Sequence, residues 1–197
     1  MKKTLLLFAV LCALSGAAAA QIKASPLEGR WILDEKDEGG DAPEPPVEMI
    51  FFGNVLLFAE ANSPEKYEGM TFIFTDRAIR GSDNEDDWEL KYHFSGNTLT
   101  LTSEENEQFS CTKAHMAISP LEGIWIAIDD EESEPQELLL FAGDIMAYKD
   151  GRYWEGVKAR FKGSTLNIDG EFIEFSVLGK ILTFYSEGEK TELKRIY

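Results

Sequence analysis

The sequence has few residues of the types that carry catalysis or form covalent cross-links. Among 197 residues there are two histidines, His93 and His115, and two cysteines, Cys12 and Cys111. General acid–base and nucleophilic catalysis need positioned partners, and neither histidine stands in such a pattern. His93 lies on the polar face of an alternating run, and His115 lies in a linker. We therefore expect no enzymatic activity, and we assign no catalytic, cofactor-binding or metal-binding residue.

The chain also lacks a hydrophobic run long enough to span a bilayer. Residues 1–20 begin with two lysines, continue with a short apolar stretch and end in small residues, which is typical of an export signal. We predict cleavage after Ala20 and an extracytoplasmic location, in the periplasm, at the cell surface or secreted. Bulky Leu11 before Cys12 disfavours lipid attachment at that cysteine. Cleavage would leave Cys111 as the one thiol, so no internal disulfide is expected.

Basic residues are scarce relative to acidic ones. The chain has 19 Lys and Arg against 36 Asp and Glu, a net charge of −17 at pH 7. Loss of the two lysines in the leader makes this −19. Such a field repels nucleic acid and anionic lipid and keeps a protein soluble. We therefore expect no nucleic-acid partner and a solvated acidic surface, although the charge could attract cations or a basic partner.

No stretch after the leader shows the 3.6-residue period of an amphipathic helix. Apolar and polar residues alternate instead, as in residues 88–95, which is typical of strands with one buried face. Turn dipeptides such as Gly96-Asn97 separate these runs and predict antiparallel hairpins. The inserts Gly39 to Pro46 and Gly81 to Asp87 are predicted to be loops. The predicted fold class is all-β with little helix.

The octapeptide at residues 25–32 recurs at residues 119–126, 94 positions later, with seven of eight residues identical. This period is the size of a small domain and is too long for a solenoid. We predict one domain present twice, over residues 21–117 and 118–197. Each repeat has about seven or eight short strands, enough to close a small barrel that side chains fill. Phe51-Phe52 puts apolar groups on both faces of a strand, consistent with packing between the repeats.

Each repeat opens with Leu-Glu-Gly-x-Trp, which contains Gly29 and Trp31 in the first copy and Gly123 and Trp125 in the second. The motif resembles the opening of short lipocalin-like domains in bacterial secreted proteins, over the first strand of each copy. The resemblance implies two tandem antiparallel meander barrels, each with its Trp packed across the closed end and its Gly bending the first strand. Lipocalins enclose a ligand in one longer barrel, so a carrier of a small apolar ligand is the alternative function.

Aromatic residues in a polar loop region carry the main functional prediction. Arg152, Tyr153 and Trp154 follow a turn, and Tyr67 occupies the matching position in the first repeat. Such side chains make protein and carbohydrate contacts, so we predict contacts with an unknown protein, glycan or small apolar ligand. The alternative is that Trp154 packs against its own barrel. Acidic runs after each Gly-x-Trp strand leave calcium binding open. We predict a non-enzymatic binding or envelope-associated protein.

Overall fold

The computed structural model describes residues 25–34, 47–60, 63–83, 86–128, 137–186 and 188–197. All regular structure in these ranges is β, in 17 strands and without a helix. The predicted fold class, an all-β chain of two tandem antiparallel meander barrels with little helix, is confirmed. The predicted export signal and the insert at residues 39–46 lie outside the described residues.

Within each repeat, successive strands pair antiparallel, apart from β4 and β5, which are separated only by Phe72. The first repeat contains β1 (Gly29–Leu33), β2 (Glu48–Phe52), β3 (Val55–Glu60), β4 (Ser63–Thr71), β5 (Ile73–Phe74), β6 (Ala78–Asp83), β7 (Asp86–Ser95), β8 (Thr98–Thr102) and β9 (Gln108–Ala114). The second contains β10 (Gly123–Ala127), β11 (Leu138–Ala142), β12 (Ile145–Asp150), β13 (Tyr153–Lys162), β14 (Thr165–Ile168), β15 (Glu171–Leu178), β16 (Ile181–Ser186) and β17 (Glu189–Arg195).

Each repeat closes into a barrel because its first strand pairs with its last. β1 pairs with both β2 and β9, and β10 pairs with both β11 and β17. In β13, residues 153–158 pair with β12 and residues 159–162 pair with β14. β4 and β5 divide the same two pairings between them in the first repeat. Closure satisfies the backbone groups that an open sheet would leave at its edges.

Apolar side chains fill the interior of each barrel, because alternation along the strands places them on one face. The buried core of the first barrel consists of Leu27, Trp31, Phe51, Leu56, Phe72, Ile79, Leu99, Leu101 and Cys111. The buried core of the second consists of Leu121, Trp125, Phe141, Ala159, Leu166, Phe175, Leu182 and Leu193. The two opening motifs therefore deliver their tryptophans to equivalent places.

A third core lies between the barrels, and we call it the shared core. It joins the outer faces of strands from both repeats and consists of Ile50, Phe52, Val55, Leu57, Tyr67, Ile124, Leu140, Ala142, Ile145, Ala147 and Trp154. β2 is consequently covered on both faces, so Phe51 and Phe52 are both buried although they are neighbours in the sequence. Burial of each large apolar side chain contributes about 1.5–3 kcal/mol, so the shared core binds the repeats firmly.

The predicted loop at residues 81–87 is wrong for most of its length, because β6 continues to Asp83 and β7 begins at Asp86. Gly81 lies directly opposite Trp88, and a Cβ at Gly81 would fall 2.1 Å from the indole. Gly81 leaves space for the indole ring of Trp88, which lies against β6. A glycine in an acidic stretch indicates a turn in the sequence, whereas here it serves packing inside a hairpin.

Candidate functional site

Both Gly-x-Trp motifs serve packing, and their surroundings are equivalent. Trp31 Nε1 donates a hydrogen bond to the carbonyl oxygen of Leu27 at 2.8 Å, and Trp125 Nε1 donates to that of Leu121 at 2.7 Å. A basic side chain lies over each indole, and both tryptophans are buried. Each ring thus satisfies its one polar group inside its own barrel.

Tyr67 and Trp154, two of the predicted partner contacts, are buried where the barrels meet. β4 pairs antiparallel with β13, which places Tyr67 opposite Gly156 and Trp154 opposite Gly69. Both aromatic residues are only 2% exposed and belong to the shared core. Their burial favours packing over contact with a partner. The alternative stated above had Trp154 pack against its own barrel, whereas here the surface it packs against includes the other repeat of the same chain.

Hydrogen bonds fix both of these rings. Trp154 Nε1 donates to Thr71 Oγ1 of the first repeat at 3.2 Å, and the Tyr67 hydroxyl donates to Glu48 Oε1 at 2.7 Å. Burial, together with the Glu48 carboxylate, raises the pKa of Tyr67. The phenol therefore stays protonated at neutral pH and remains a donor inside the junction.

Ion pairs join the repeats: Lys158 Nζ lies 3.4 Å from Glu65 Oε1 on the surface, and another pair involves Arg30. The Arg30 guanidinium bonds the Asp144 carboxylate, and its Nε lies 3.4 Å from Glu48 Oε1.

Ile124, opposite Leu140, holds the position in the second repeat that is equivalent to Arg30. An isoleucine forms no ion pair, so the Arg30 bridge has no symmetric counterpart at that position. The arginine is nearly buried while Asp144 is partly exposed, and a pair of this kind orients two surfaces more than it stabilises them.

Arg152 and Tyr153 are the surface-exposed members of the predicted contact set. Arg152 lies in the turn that precedes β13, and Tyr153 is 42% exposed at the start of that strand. Tyr153 stands opposite Met70, close to the position where Glu68 and Glu155 face each other across the β4–β13 pair. The two residues stay a predicted contact surface, now separated from Tyr67 and Trp154.

An exposed apolar face on the second barrel was not predicted from the sequence. On the outer side of β15 and β16, Phe172 is 75%, Leu178 85% and Tyr185 44% exposed. Phe172 and Tyr185 border an open groove of about 640 Å³ that also includes Glu174. We call this surface the aromatic face. The sequence signal is that Phe172 and Phe175 lie on opposite sides of one strand, and alternation alone cannot say which of them is buried.

An outer surface of the first barrel, on β6 and β7, carries basic side chains, and we call it the basic face. Arg80 of β6 and Lys91 and His93 of β7 are exposed, as is Arg77 in the turn before β6. These side chains border an open groove of about 850 Å³. Arg80 Nε donates to Glu89 at 2.5 Å. A chain of strongly negative charge therefore presents a local surface of the opposite sign.

Cys111 is expected to be unreactive in the folded protein. Burial, with a contribution from Asp34, raises the pKa of its thiol from about 9 to about 11. In a chain that starts at Gln21, maleimide labelling at pH 7.5 should be roughly a hundredfold slower than in denaturant, because reaction requires opening of the barrel. Labelling at the denatured rate would contradict this expectation.

The same shift predicts an alkaline loss of stability. Between pH 9 and 11 the unfolded thiol of Cys111 ionises while the folded thiol keeps its proton. The unfolded state then binds fewer protons, so stability falls as pH rises through this window. Urea titrations of wild type and Cys111→Ala at pH 8 and 10.5 check this, and the variant should show the smaller decline.

Within the described ranges, no group of three His, Cys, Asp or Glu side chains is placed to hold a metal ion. The acidic runs at residues 35–38 and 129–132 lie outside those ranges, so calcium binding there stays a prediction. In the part of the chain that the structure describes, no helix is long and apolar enough to cross a bilayer.

Comparison with known proteins assigns no family. No protein-family model and no curated protein sequence matches this chain. The lipocalin-like resemblance therefore rests on the Leu-Glu-Gly-x-Trp motif of each repeat. The surfaces that bear on function are the aromatic face, the basic face and the exposed pair Arg152 and Tyr153.

Proposed function

We propose that this chain is an exported, non-enzymatic binding protein that recognises a protein partner through its aromatic face. The observation that carries the proposal is the exposure of Phe172, Leu178 and Tyr185 on the outside of a closed barrel. Apolar surface left in water forgoes about 25 cal/mol per Å². Phe172 and Tyr185 border one groove, and exposed aromatic side chains are enriched in the centres of interfaces.

The first repeat builds the same hairpins without these side chains. The two repeats can be aligned at the matching turns Gly96-Asn97 and Gly179-Lys180. In this alignment the first repeat has a polar residue at each of the three positions that carry Phe172, Leu178 and Tyr185 in the second. The equivalent pairs are Phe172 and Glu89, Leu178 and Ser95, and Tyr185 and Thr102. Because the fold accepts polar residues at these places, the exposed apolar groups of the second repeat are better explained by recognition than by packing.

The alternative function, a carrier of a small apolar ligand, needs a cavity inside a barrel. Buried side chains, among them Trp31 and Trp125, occupy the two interiors. The grooves of about 640 and 850 Å³ are bordered by exposed residues of the outer faces. This distribution supports recognition at the surface over enclosure.

Native mass spectrometry of the protein purified from its own cells tests the proposal. We expect a bound protein with wild type and its loss from the double variant Phe172→Ser/Tyr185→Ser, because removal of two central aromatic contacts costs on the order of 2 kcal/mol or more. The matched control is Ile73→Ser, since Ile73 is an exposed apolar residue of the first repeat. That variant should keep the partner.

Two results would count against the proposal. One is the absence of any bound protein, and the other is a bound protein that the double variant retains. A bound lipid or other small apolar molecule would favour the carrier instead.

A further inference from the structure

We infer, resting on the proposed function, that the aromatic face binds the basic face of a second copy of this chain, so that molecules associate head to tail. The proposed function requires only that the aromatic face binds some protein. The further step identifies that protein by the chemistry of a surface that the chain itself presents.

The two faces share one equivalent strand, β7 in the first repeat and β15 in the second, and they carry opposite charge. Lys91 in β7 and Glu174 in β15 hold equivalent positions, counted from the matching turns at Gly96 and Gly179. The basic face also carries Arg77, Arg80 and His93, while the aromatic face also carries Glu171. Opposite potentials on two surfaces steer their encounter and set their register.

The apolar groups of one face suit the cations of the other. Glu174 stands directly opposite Tyr185, so an aromatic ring and a carboxylate lie side by side on the aromatic face. A Lys or Arg that contacts both gains an ion pair and a cation–π contact. Lys91 is exposed and can make such contacts, whereas Arg80, although exposed, is already paired with Glu89.

The basic face is not uniformly positive. Asp76 and Glu89 also border its groove, and Glu89 bonds Arg80. The net positive charge is therefore small, and we expect an association that is weak and falls as salt screens the charges. The excess negative charge elsewhere on the chain repels a second copy, and this repulsion is also strongest at low salt. The specificity of association therefore comes from the contacts between the two faces.

Neither face takes part in the shared core, which uses other strands. Both faces therefore remain open when the two repeats of one chain are joined. Because the faces differ from each other, their contact is heterologous, and a molecule that binds through one face still offers the other. The expected products are a series of oligomers or a closed ring.

Charge reversal at Lys91 and Glu174 tests the inference by sedimentation velocity over a range of protein concentrations at low salt. Each change, Lys91→Glu or Glu174→Lys, introduces the kind of charge that the other repeat carries at the same position, so the fold should accept it. Each variant alone opposes like charges and should associate at least about tenfold more weakly than wild type. An equimolar mixture restores one native contact and one reversed contact, so it should associate again.

Several outcomes would overturn the inference. They are a wild type that stays monomeric at its highest soluble concentration, an association that neither reversal weakens, and a mixture that does not recover. If the wild type is monomeric while a foreign protein co-purifies and is lost with Phe172→Ser/Tyr185→Ser, the inference fails and the proposed function stands. If the oligomer is insensitive to the aromatic double variant and no foreign protein binds, both fail.

Discussion

Trp154→Ala is expected to lower the free energy of unfolding by about 3–5 kcal/mol, the range for truncating a large buried aromatic side chain. The indole belongs to the shared core and donates to Thr71 of the other repeat. Its removal leaves a void between the barrels, at the place where the repeats are joined. Urea denaturation at pH 7, followed by circular dichroism, measures the loss.

Tyr153→Ala is the matched control, because this neighbouring aromatic side chain is 42% exposed whereas Trp154 is buried. Its loss should cost less than about 1 kcal/mol, as most surface substitutions do. A role of Trp154 confined to external contacts would instead leave both variants equally stable. A loss below 1 kcal/mol for Trp154→Ala would therefore contradict the burial assigned to the junction.

Gly123→Ala is expected to cost about 2–5 kcal/mol, and Gly29→Ala only about 1–3 kcal/mol. Both glycines have backbone angles that other residues rarely adopt, with φ of +145° and +136°. A Cβ on Gly123 would also fall 2.5 Å from the carbonyl oxygen of Tyr197. A Cβ on Gly29 would meet the flexible end of Lys113 at 3.2 Å, which can move aside.

The clash at Gly123 is costly because its neighbour is held in place. Ile124 N–H donates to the carbonyl oxygen of Tyr197 at 3.1 Å, and Arg195 Nε donates to the same oxygen at 2.9 Å. Gly151→Ala provides the control for backbone strain alone, since φ is +56° and a Cβ there would meet open space. If urea denaturation gives equal unfolding free energies for Gly123→Ala and Gly29→Ala, the backbone at Tyr197 moves to accommodate the added Cβ, contrary to this expectation.

The fold class could be predicted because the signals that specify it act locally. In β7 the alternation puts Leu90, Tyr92 and Phe94 on the side of the first core, as predicted from their spacing. Glycine turns join neighbouring strands, so local pairing follows from the dipeptides. The adjacent pair Phe51 and Phe52 also indicated cover on both faces, and the shared core supplies it.

The pairing of β4 with β13 at the junction could not be predicted, because the sequence does not state which strands of distant repeats will pair. Tyr67 and Trp154 follow polar stretches, so the sequence allows both a partner contact and packing of Trp154 against its own barrel. A signal was present in the spacing, since each aromatic residue is followed two positions later by a glycine. In an antiparallel pair, that spacing lets each ring stand opposite the glycine of the other strand.

The outer faces could not be predicted for a different reason. Phe172 and Phe175 differ in exposure, yet either phase of the alternation fits a strand with one buried side. The choice depends on how β15 is turned when the barrel closes around Leu182 and Leu193. Closure is a property of the whole repeat, so no short window of sequence contains it.

The shared core also bears on how the polypeptide is made. Ile50, Phe52, Val55 and Leu57 leave the ribosome about 90 residues ahead of β11 and β12, whose side chains cover them. Until those later strands emerge, the nascent first barrel exposes an apolar surface of the kind that aggregates or binds chaperones. Synthesis that stalls within the second repeat would prolong this exposed interval, and the unfinished product would be a ready substrate for quality-control proteases.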